Sequence, residues 1–111
     1  MARPNSDLLR GTLDMLVLQI LSEAPNHGYA IGQQIQHLTD DRLRIEQGSL
    51  YPALYRLERH QLVKSKWKKN STSNRRAKVY QLTRKGHEHL EADIATWQNF
   101  VDSVSHVVPG S

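Results

Sequence analysis

The sequence contains no cysteine and no long apolar run, and these two absences exclude several classes of protein. Without cysteine, neither a disulfide framework nor a thiolate zinc site can form. No apolar stretch approaches the roughly 18 residues that a membrane-spanning helix needs, and the first seven residues lack the basic-then-apolar order of a signal peptide. We therefore expect a cytoplasmic protein without a membrane partner, and 111 residues suit one small domain.

The motifs of common catalytic sites are also missing. His87 and His89 lie two residues apart, whereas the zinc helix motif places its histidines four apart. The segment Gly48-Ser49-Leu50 lacks the following glycine of a nucleophile elbow, and no glycine-rich phosphate loop is present. We expect no enzymatic activity, no metal site and no cofactor.

Acidic residues are absent between Arg59 and Lys85, a stretch that holds ten of the 15 lysines and arginines. All 11 aspartates and glutamates lie elsewhere in the chain. A block of one charge sign creates a strong local positive potential, which favours a polyanionic partner. From charge alone, the alternative is a solvated basic surface that has no partner.

Two helices are predicted in the first part of the chain, after a flexible arm over residues 1–7. Apolar residues at 3.6-residue spacing predict a first helix over residues 8–24, and this helix is apolar on most of its circumference. A chain this short would cover such a helix on both sides with a second subunit. Asn26 or His27 leads into a second helix over residues 28–40, and residues 40–46 form a short extended piece.

A third helix is predicted from Leu50 to His60, with Ser49 as its N-cap and Pro52 in its first turn. Its core face contains Leu50, Ala53, Leu54 and Leu57, while Gly48, Pro52, Tyr55, Arg56 and Arg59 lie opposite, with Tyr51 at the flank. Alternation then predicts strands over residues 62–67 and 78–82, joined by a basic, turn-rich loop over residues 69–76.

A last helix is predicted over residues 84–107, capped by Thr83 and followed by a tail over residues 109–111. Its apolar residues from Leu90 to Val108 are spaced alternately by four and three, which is the period of a helix that packs along another helix. We therefore separate residues 8–83 from a dimerisation helix over residues 84–108. The residues predicted at the dimer interface are Leu9, Leu13, Leu16, Leu90, Ile94, Trp97, Val101 and Val104.

Three helices followed by a basic hairpin is the order of a winged helix-turn-helix, so the predicted fold is mainly α with a two-stranded β wing. In that fold a helix reads base edges in the major groove, and the hairpin reaches phosphates or the minor groove. We expect double-stranded DNA as the partner. The predicted contact residues are Tyr29, Ser49, Tyr51, Pro52, Tyr55, Arg56, Lys69, Arg75, Arg76 and Lys78.

Each of these residues also has a purely structural interpretation. Tyr51 and Tyr55 lie four apart on a helix, where tyrosines often pack in the core or at its rim. Arg75 and Arg76 would then belong to a solvated loop tip. A winged helix that is used only for protein contacts is a further alternative, and weak salt dependence of DNA affinity would favour it.

Four stretches of the sequence resemble the PadR family of bacterial transcriptional regulators. They are GTLDMLVL at 11–18, HGYAI at 27–31, GSLYPALYRLE at 48–58, and RRAKVYQLT at 75–83 followed by Gly86. The resemblance implies a homodimeric winged-helix regulator, usually a repressor, whose first and last helices hold the dimer together. The short C-terminal region is similar to the small subtype with one dimerisation helix. One departure is Gln61, where the family often has glycine.

Trp97 has two interpretations. A tryptophan on a helix seam most often fills the helix packing. The resemblance implies a second role, because multidrug-sensing members carry a tryptophan at a similar place, where two subunits enclose a flat aromatic ligand. A small aromatic effector bound at the dimer centre is therefore the alternative function.

Overall fold

The computed structural model describes residues 6–69 and 75–109, with side chains from residue 11 onward. The elements, in chain order, are α1 (Ser6–Glu23), β1 (Asn26–His27), α2 (Gly28–Leu38), α3 (Gln47–Arg59), β2 (Val63–Lys69), β3 (Arg76–Leu82) and α4 (Arg84–Val107). Because α1 begins at Ser6, the last two residues of the predicted arm are helical. The rest of that arm, the side chain of Leu9, loop residues 70–74 and the end of the tail lie outside the described residues.

The core lies where α1, α2 and α3 meet the sheet. Val17 and Leu18 of α1, Ile31 of α2 and Leu54 of α3 are completely buried. The four residues predicted for the core face of α3 are all buried, which confirms that prediction. Burying each large aliphatic side chain stabilises the fold by about 1.5–3 kcal/mol. This core fixes the direction in which the opposite face of α3 points.

A three-stranded antiparallel sheet with the order β1-β3-β2 forms the wing and its base. The predicted hairpin is present, and its register pairs Val63 with Leu82 and Lys69 with Arg76. Both strands extend two residues further toward the tip than predicted, so Lys69 and Arg76, which were assigned to the loop, are paired strand residues. The two-residue strand β1 was not predicted; its Asn26 pairs with Tyr80. This short strand joins the wing to the connection between α1 and α2, so the hairpin is attached to the helical core at its base.

The start of α3 differs from the sequence prediction. The helix begins at Gln47 after Glu46, and the backbone amides of both Ser49 and Leu50 donate to the Glu46 carbonyl at 3.0 Å. Ser49 is therefore inside the first turn, and the prediction that it caps the helix is wrong. Pro52 consequently lies in the second turn, where the helix lacks one backbone donor.

Two turns use backbone conformations that are uncommon for residues other than glycine. Asp40 and Asp41 have φ values of 51° and 63°, in a hydrogen-bonded turn after α2, so the extended piece predicted for residues 40–46 is wrong at its start. Gln61 has a φ of 64°, the left-handed conformation that ends α3. The family's usual glycine is suited to this conformation, and Gln61 adopts it here without a change of fold.

Helix α4 matches its prediction closely. Its N-cap is Thr83, whose Oγ1 accepts a 3.0 Å hydrogen bond from the Gly86 amide. The same hydroxyl lies 2.7 Å from the Gln61 carbonyl oxygen, to which it can donate. At Gly86, an added Cβ would clash with the carbonyl oxygen of Leu62, so glycine lets α4 start directly against the connection between α3 and β2. None of the described helices combines the length and hydropathy needed to cross a membrane.

Candidate nucleic-acid interface

The face of α3 opposite the core is open to solvent. Ser49, Pro52 and Tyr55 are exposed, and the Tyr55 side chain is 67% accessible. Because Leu50, Leu54 and Leu57 anchor the other side of the same helix, these exposed groups are held on a rigid support. This face has the shape and chemistry to enter the major groove of DNA.

Tyr51 lies at the flank of this face and is half packed. A Cβ on Gly28 would approach the Tyr51 ring to 2.8 Å, so the absence of a side chain at position 28 makes room for the ring. Tyr51 as a whole is 43% exposed. Next to it, the Tyr29 hydroxyl accepts a 3.1 Å hydrogen bond from the Gln33 amide group, which leaves the hydroxyl hydrogen available to a ligand.

Arg56 points away from the predicted reading face. Its Nη2 atom donates to the Asp14 carboxylate of α1 at 2.9 Å, and the two side chains are only 29% and 24% exposed. The Arg56 Nε atom is buried and has no hydrogen-bond partner among the described residues. The sequence prediction that Arg56 lies opposite the core is therefore wrong. Its guanidinium connects α3 to α1.

The wing changes from apolar to basic along its inner face. Successive cross-strand pairs on this face are Val63–Leu82, Ser65–Tyr80, Trp67–Lys78 and Lys69–Arg76. The first pair is buried, and the last is exposed beside Arg75. The hairpin therefore anchors its base in the core and presents its cations at the tip, where a phosphate backbone can be reached.

Glu58 connects α3 to the wing. Its carboxylate accepts a hydrogen bond from the Ser65 hydroxyl and forms a 3.5 Å ion pair with Lys78, so it contacts both strands of the hairpin. Lys78 also lies 5.6 Å from the centre of the Tyr80 ring. Burial raises the pKa of the Tyr80 phenol, and the nearby Lys78 charge opposes this rise in pKa only in part. Tyr80 therefore remains a neutral hydroxyl at physiological pH.

A groove of about 680 Å³ separates α2 and α3 from the wing. The predicted contact residues Tyr29, Tyr51, Arg75, Arg76 and Lys78 are brought together there, while Ser49, Pro52, Tyr55 and Lys69 are not among its lining residues. The other lining residues are His27, Gly28, Trp67, Ala77 and Tyr80. The sequence analysis missed Trp67, which is 63% exposed. The position of Trp67 between Lys66 and Lys68 in an alternating strand was the feature of the sequence that could have indicated it.

The seam of α4 divides into two parts. Leu90 is buried and Ile94 packs against the core, as do Leu13 and Leu16 of α1, so the burial of Leu13 and Leu90 does not need a partner. From Trp97 onward the seam is largely open, and Phe100 is 53% exposed. The two rings lie 6.2 Å apart, centre to centre.

A second groove, of about 420 Å³, runs between α1 and α4 beside these two rings. From α1 it is lined by Gly11, Thr12, Asp14 and Met15, and from α4 by His89, Asp93, Thr96, Trp97 and Phe100. Asp14 thus borders this groove while its carboxylate holds Arg56. The groove offers apolar surface with a few charged groups at its edge, which suits a small aromatic molecule.

Comparison with known proteins gives a consistent result. The model of the transcriptional regulator PadR-like family matches residues 17–92, which is more than half of the chain. A transcriptional regulator from Clostridium thermocellum is 29% identical with a TM-score of 0.84, covering 93% of this chain and 99% of that one. A PadR-like transcription factor from Bacteroides fragilis is 31% identical with a TM-score of 0.76, and the coverages are 93% and 96%.

A PadR family regulator from Eggerthella lenta is 35% identical with a TM-score of 0.76, and the match covers 95% of this chain and 88% of that one. These similarities extend over the helices, the wing and α4 together. They agree with the mainly α fold with a β wing described above. The chain therefore belongs to the PadR-like family of transcriptional regulators, which are non-enzymatic DNA-binding proteins.

Proposed function

We propose that this protein is a sequence-specific transcriptional repressor that binds a palindromic operator as a homodimer in the cytoplasm. One observation carries the proposal: the exposed face of α3 lies beside a wing with a basic inner face, and Glu58 of α3 contacts both strands of that wing. This arrangement suits a duplex, because a helix in the major groove and a hairpin on the adjacent backbone make contact at the same time.

In this proposal α3 reads base edges. Ser49, Tyr51, Pro52 and Tyr55 surround the part of the helix that enters the groove, and each is exposed. A hydroxyl group can donate to or accept from a base edge, while proline and the tyrosine rings add apolar contacts, for example to thymine methyl groups. In this proposal Arg56, which is paired with Asp14, positions the helix instead of contacting a base.

The wing supplies electrostatic attraction. Exposed at its tip are Lys69, Arg75 and Arg76. The sequence between Arg59 and Lys85, which includes them, has no acidic residue. Such cations bind phosphates of any sequence and release counterions, so they raise affinity without reading bases. Lys78 contributes less in this scheme, because Glu58 already neutralises part of its charge.

The homodimer is proposed from the exposed part of α4. Trp97, Phe100, Val101 and Val108 leave apolar surface open on a helix whose first half is packed in the core. A second copy would cover this surface through a two-fold axis, together with the adjacent part of α1. Two recognition helices related in this way fit an inverted-repeat operator. Repression follows if the bound dimer competes with RNA polymerase for the promoter.

Salt-dependent DNA binding tests this proposal. The affinity of the purified protein for a duplex taken from upstream of its own coding sequence should fall steeply as salt rises, and it should exceed the affinity for a scrambled duplex of the same length. A reporter gene behind the same upstream DNA should lose expression when the protein is present. Absence of duplex binding at low salt would favour a winged helix used for protein contacts.

A small aromatic effector is the second candidate function, and the groove between α1 and α4 favours it. Trp97 and Phe100 offer ring surfaces there, and the lining includes the Asp93 carboxylate, 3.3 Å from His89 Nε2, which adds negative charge that suits a planar cation. Titration with a planar aromatic cation should quench the emission of Trp97. The Trp97→Phe variant should lose that response, and an unchanged response in the variant would contradict this site.

A further inference from the structure

The groove between the wing and the helices has the geometry to hold one strand of DNA backbone. Its lining comes from the start of α2, from Tyr51 on α3 and from the inner face of the wing. In a duplex, one sugar–phosphate strand separates a major groove from the neighbouring minor groove. This strand passes between a protein element in the major groove and a second element in the minor groove. If α3 lies in the major groove and the wing reaches the adjacent minor groove, that strand must cross this groove of the protein.

The lining contains neutral hydrogen-bond donors as well as cations. The Tyr29 hydroxyl accepts from Gln33, so its hydrogen can point toward a ligand. The indole of Trp67 is 63% exposed, and its Nε1–H is a donor without acceptor capacity. Directly across the hairpin, Lys78 is engaged by Glu58 at 3.5 Å. In the pair Trp67–Lys78, the tryptophan is thus the side chain that is open to a ligand.

We propose that this groove binds one sugar–phosphate strand of DNA and that Trp67 is its neutral anchor. The indole ring packs against a deoxyribose, and its Nε1–H donates to a phosphate oxygen. The proposal rests on the DNA-binding function above and adds a contact that neither the recognition face nor the basic tip supplies. Trp67 lies on the same face of the hairpin as the tip pair Lys69–Arg76 and two residues from it, so the same strand can meet both.

A neutral anchor has a thermodynamic signature that a cation lacks. Each lysine or arginine that neutralises a phosphate releases counterions and steepens the dependence of log affinity on log salt concentration. An indole that packs against sugar and donates to phosphate releases none. Removal of Trp67 should therefore weaken binding while the salt slope stays unchanged, whereas removal of Arg76 should flatten the slope by about one.

The first test observes Trp67 directly. The chain contains two tryptophans, so 5-fluorotryptophan labelling of the full-length protein gives two ¹⁹F resonances, and the Trp67→Phe variant assigns them. Saturation with a mixed-sequence duplex of about 30 base pairs, long enough for two half-sites, should shift or broaden the Trp67 resonance. A Trp67 resonance that stays unchanged while a mobility-shift assay shows complete binding would overturn the proposal.

The second test measures affinity for the same duplex over a series of salt concentrations. Trp67→Ala should weaken binding about tenfold at every salt concentration, and Trp67→Phe should weaken it less, since a smaller aromatic ring remains while the N–H donor is lost. Melting curves of both variants should match the parent, because the side chain is exposed. A slope that changes as much as in Arg76→Ala, or unaltered affinity, would overturn the anchor while leaving DNA binding intact. Failure of the parent protein to bind any duplex would overturn the proposed function as well.

Discussion

The Arg56 guanidinium of α3 donates a 2.9 Å hydrogen bond to the Asp14 carboxylate of α1, across 42 residues of sequence. Both side chains are mostly shielded from solvent, so the pair is stronger than a typical surface ion pair. Because α1 also borders the groove beside Trp97, this contact joins the proposed dimer region to the proposed recognition helix.

Loss of Arg56 should therefore reduce stability. Arg56→Ala leaves the Asp14 carboxylate without this donor, and the free energy of unfolding should fall by about 1–3 kcal/mol, the range for a charged hydrogen bond. Arg59→Ala removes an exposed arginine from the same helix and serves as the control, with a change within about 0.5 kcal/mol. If Arg56→Ala melts like the parent but loses DNA affinity, Arg56 contacts DNA as the sequence analysis expected.

Two glycines should respond oppositely to alanine. At Gly86 a Cβ would clash with the Leu62 carbonyl oxygen, so Gly86→Ala should lower the free energy of unfolding by about 3 kcal/mol or more. At Gly48 nothing lies within 4 Å of an added Cβ, and alanine should stabilise the helix by about 0.5–1 kcal/mol. Chemical denaturation of both variants measures these changes. Equal effects at the two positions would contradict the close approach of α4 to Leu62.

The sequence predicted those elements whose causes are local. Helix α4 follows from the Thr83 cap and a regular apolar seam, and its bounds agree with the structure. The hairpin follows from alternation around a polar loop. Both patterns are formed by residues that are close together in the sequence.

Most features that sequence reasoning missed depend on distant partners, and the start of α3 is a local exception. Strand β1 has only two residues and exists because β3 lies beside it. The direction of Arg56 is set by Asp14 on another helix, and helical spacing alone placed the side chain on the open face. Ser49 has the side chain of a good N-cap, but the helix starts earlier, with Glu46 accepting the first backbone hydrogen bonds. The exposure of Trp67 likewise depends on how the wing meets the helices.

The wing arginines should contribute affinity without sequence preference. Arg75 and Arg76 are exposed at the start of β3, and replacement of both by alanine should weaken binding to all duplexes by a similar factor. The slope of log affinity against log salt should flatten by up to roughly two. Fluorescence anisotropy at several salt concentrations measures this slope. An unchanged slope would mean that the tip of the wing does not contact DNA.

A charge on the exposed seam of α4 should prevent self-association. Val101 is exposed in the single chain, so Val101→Glu should leave the monomer folded but place a carboxylate in the proposed interface. Sedimentation should show a dimer for the parent and a monomer for the variant at micromolar concentration. Val107→Glu is the control, since Val107 lies on α4 outside the four-three spacing. A parent protein that sediments as a monomer would contradict the dimer.

Selection of DNA sequences from a random pool tests the central claim most directly. The parent should enrich an inverted repeat whose half-sites lie about one helical turn, roughly 10 base pairs, apart. Tyr55→Ala should lose this enrichment while melting like the parent, because its side chain is 67% exposed. Leu54→Ala, at a completely buried site, should instead lose about 2–5 kcal/mol of stability. Enrichment of no sequence by the folded parent, or the same motif selected by Tyr55→Ala, would contradict sequence recognition by α3.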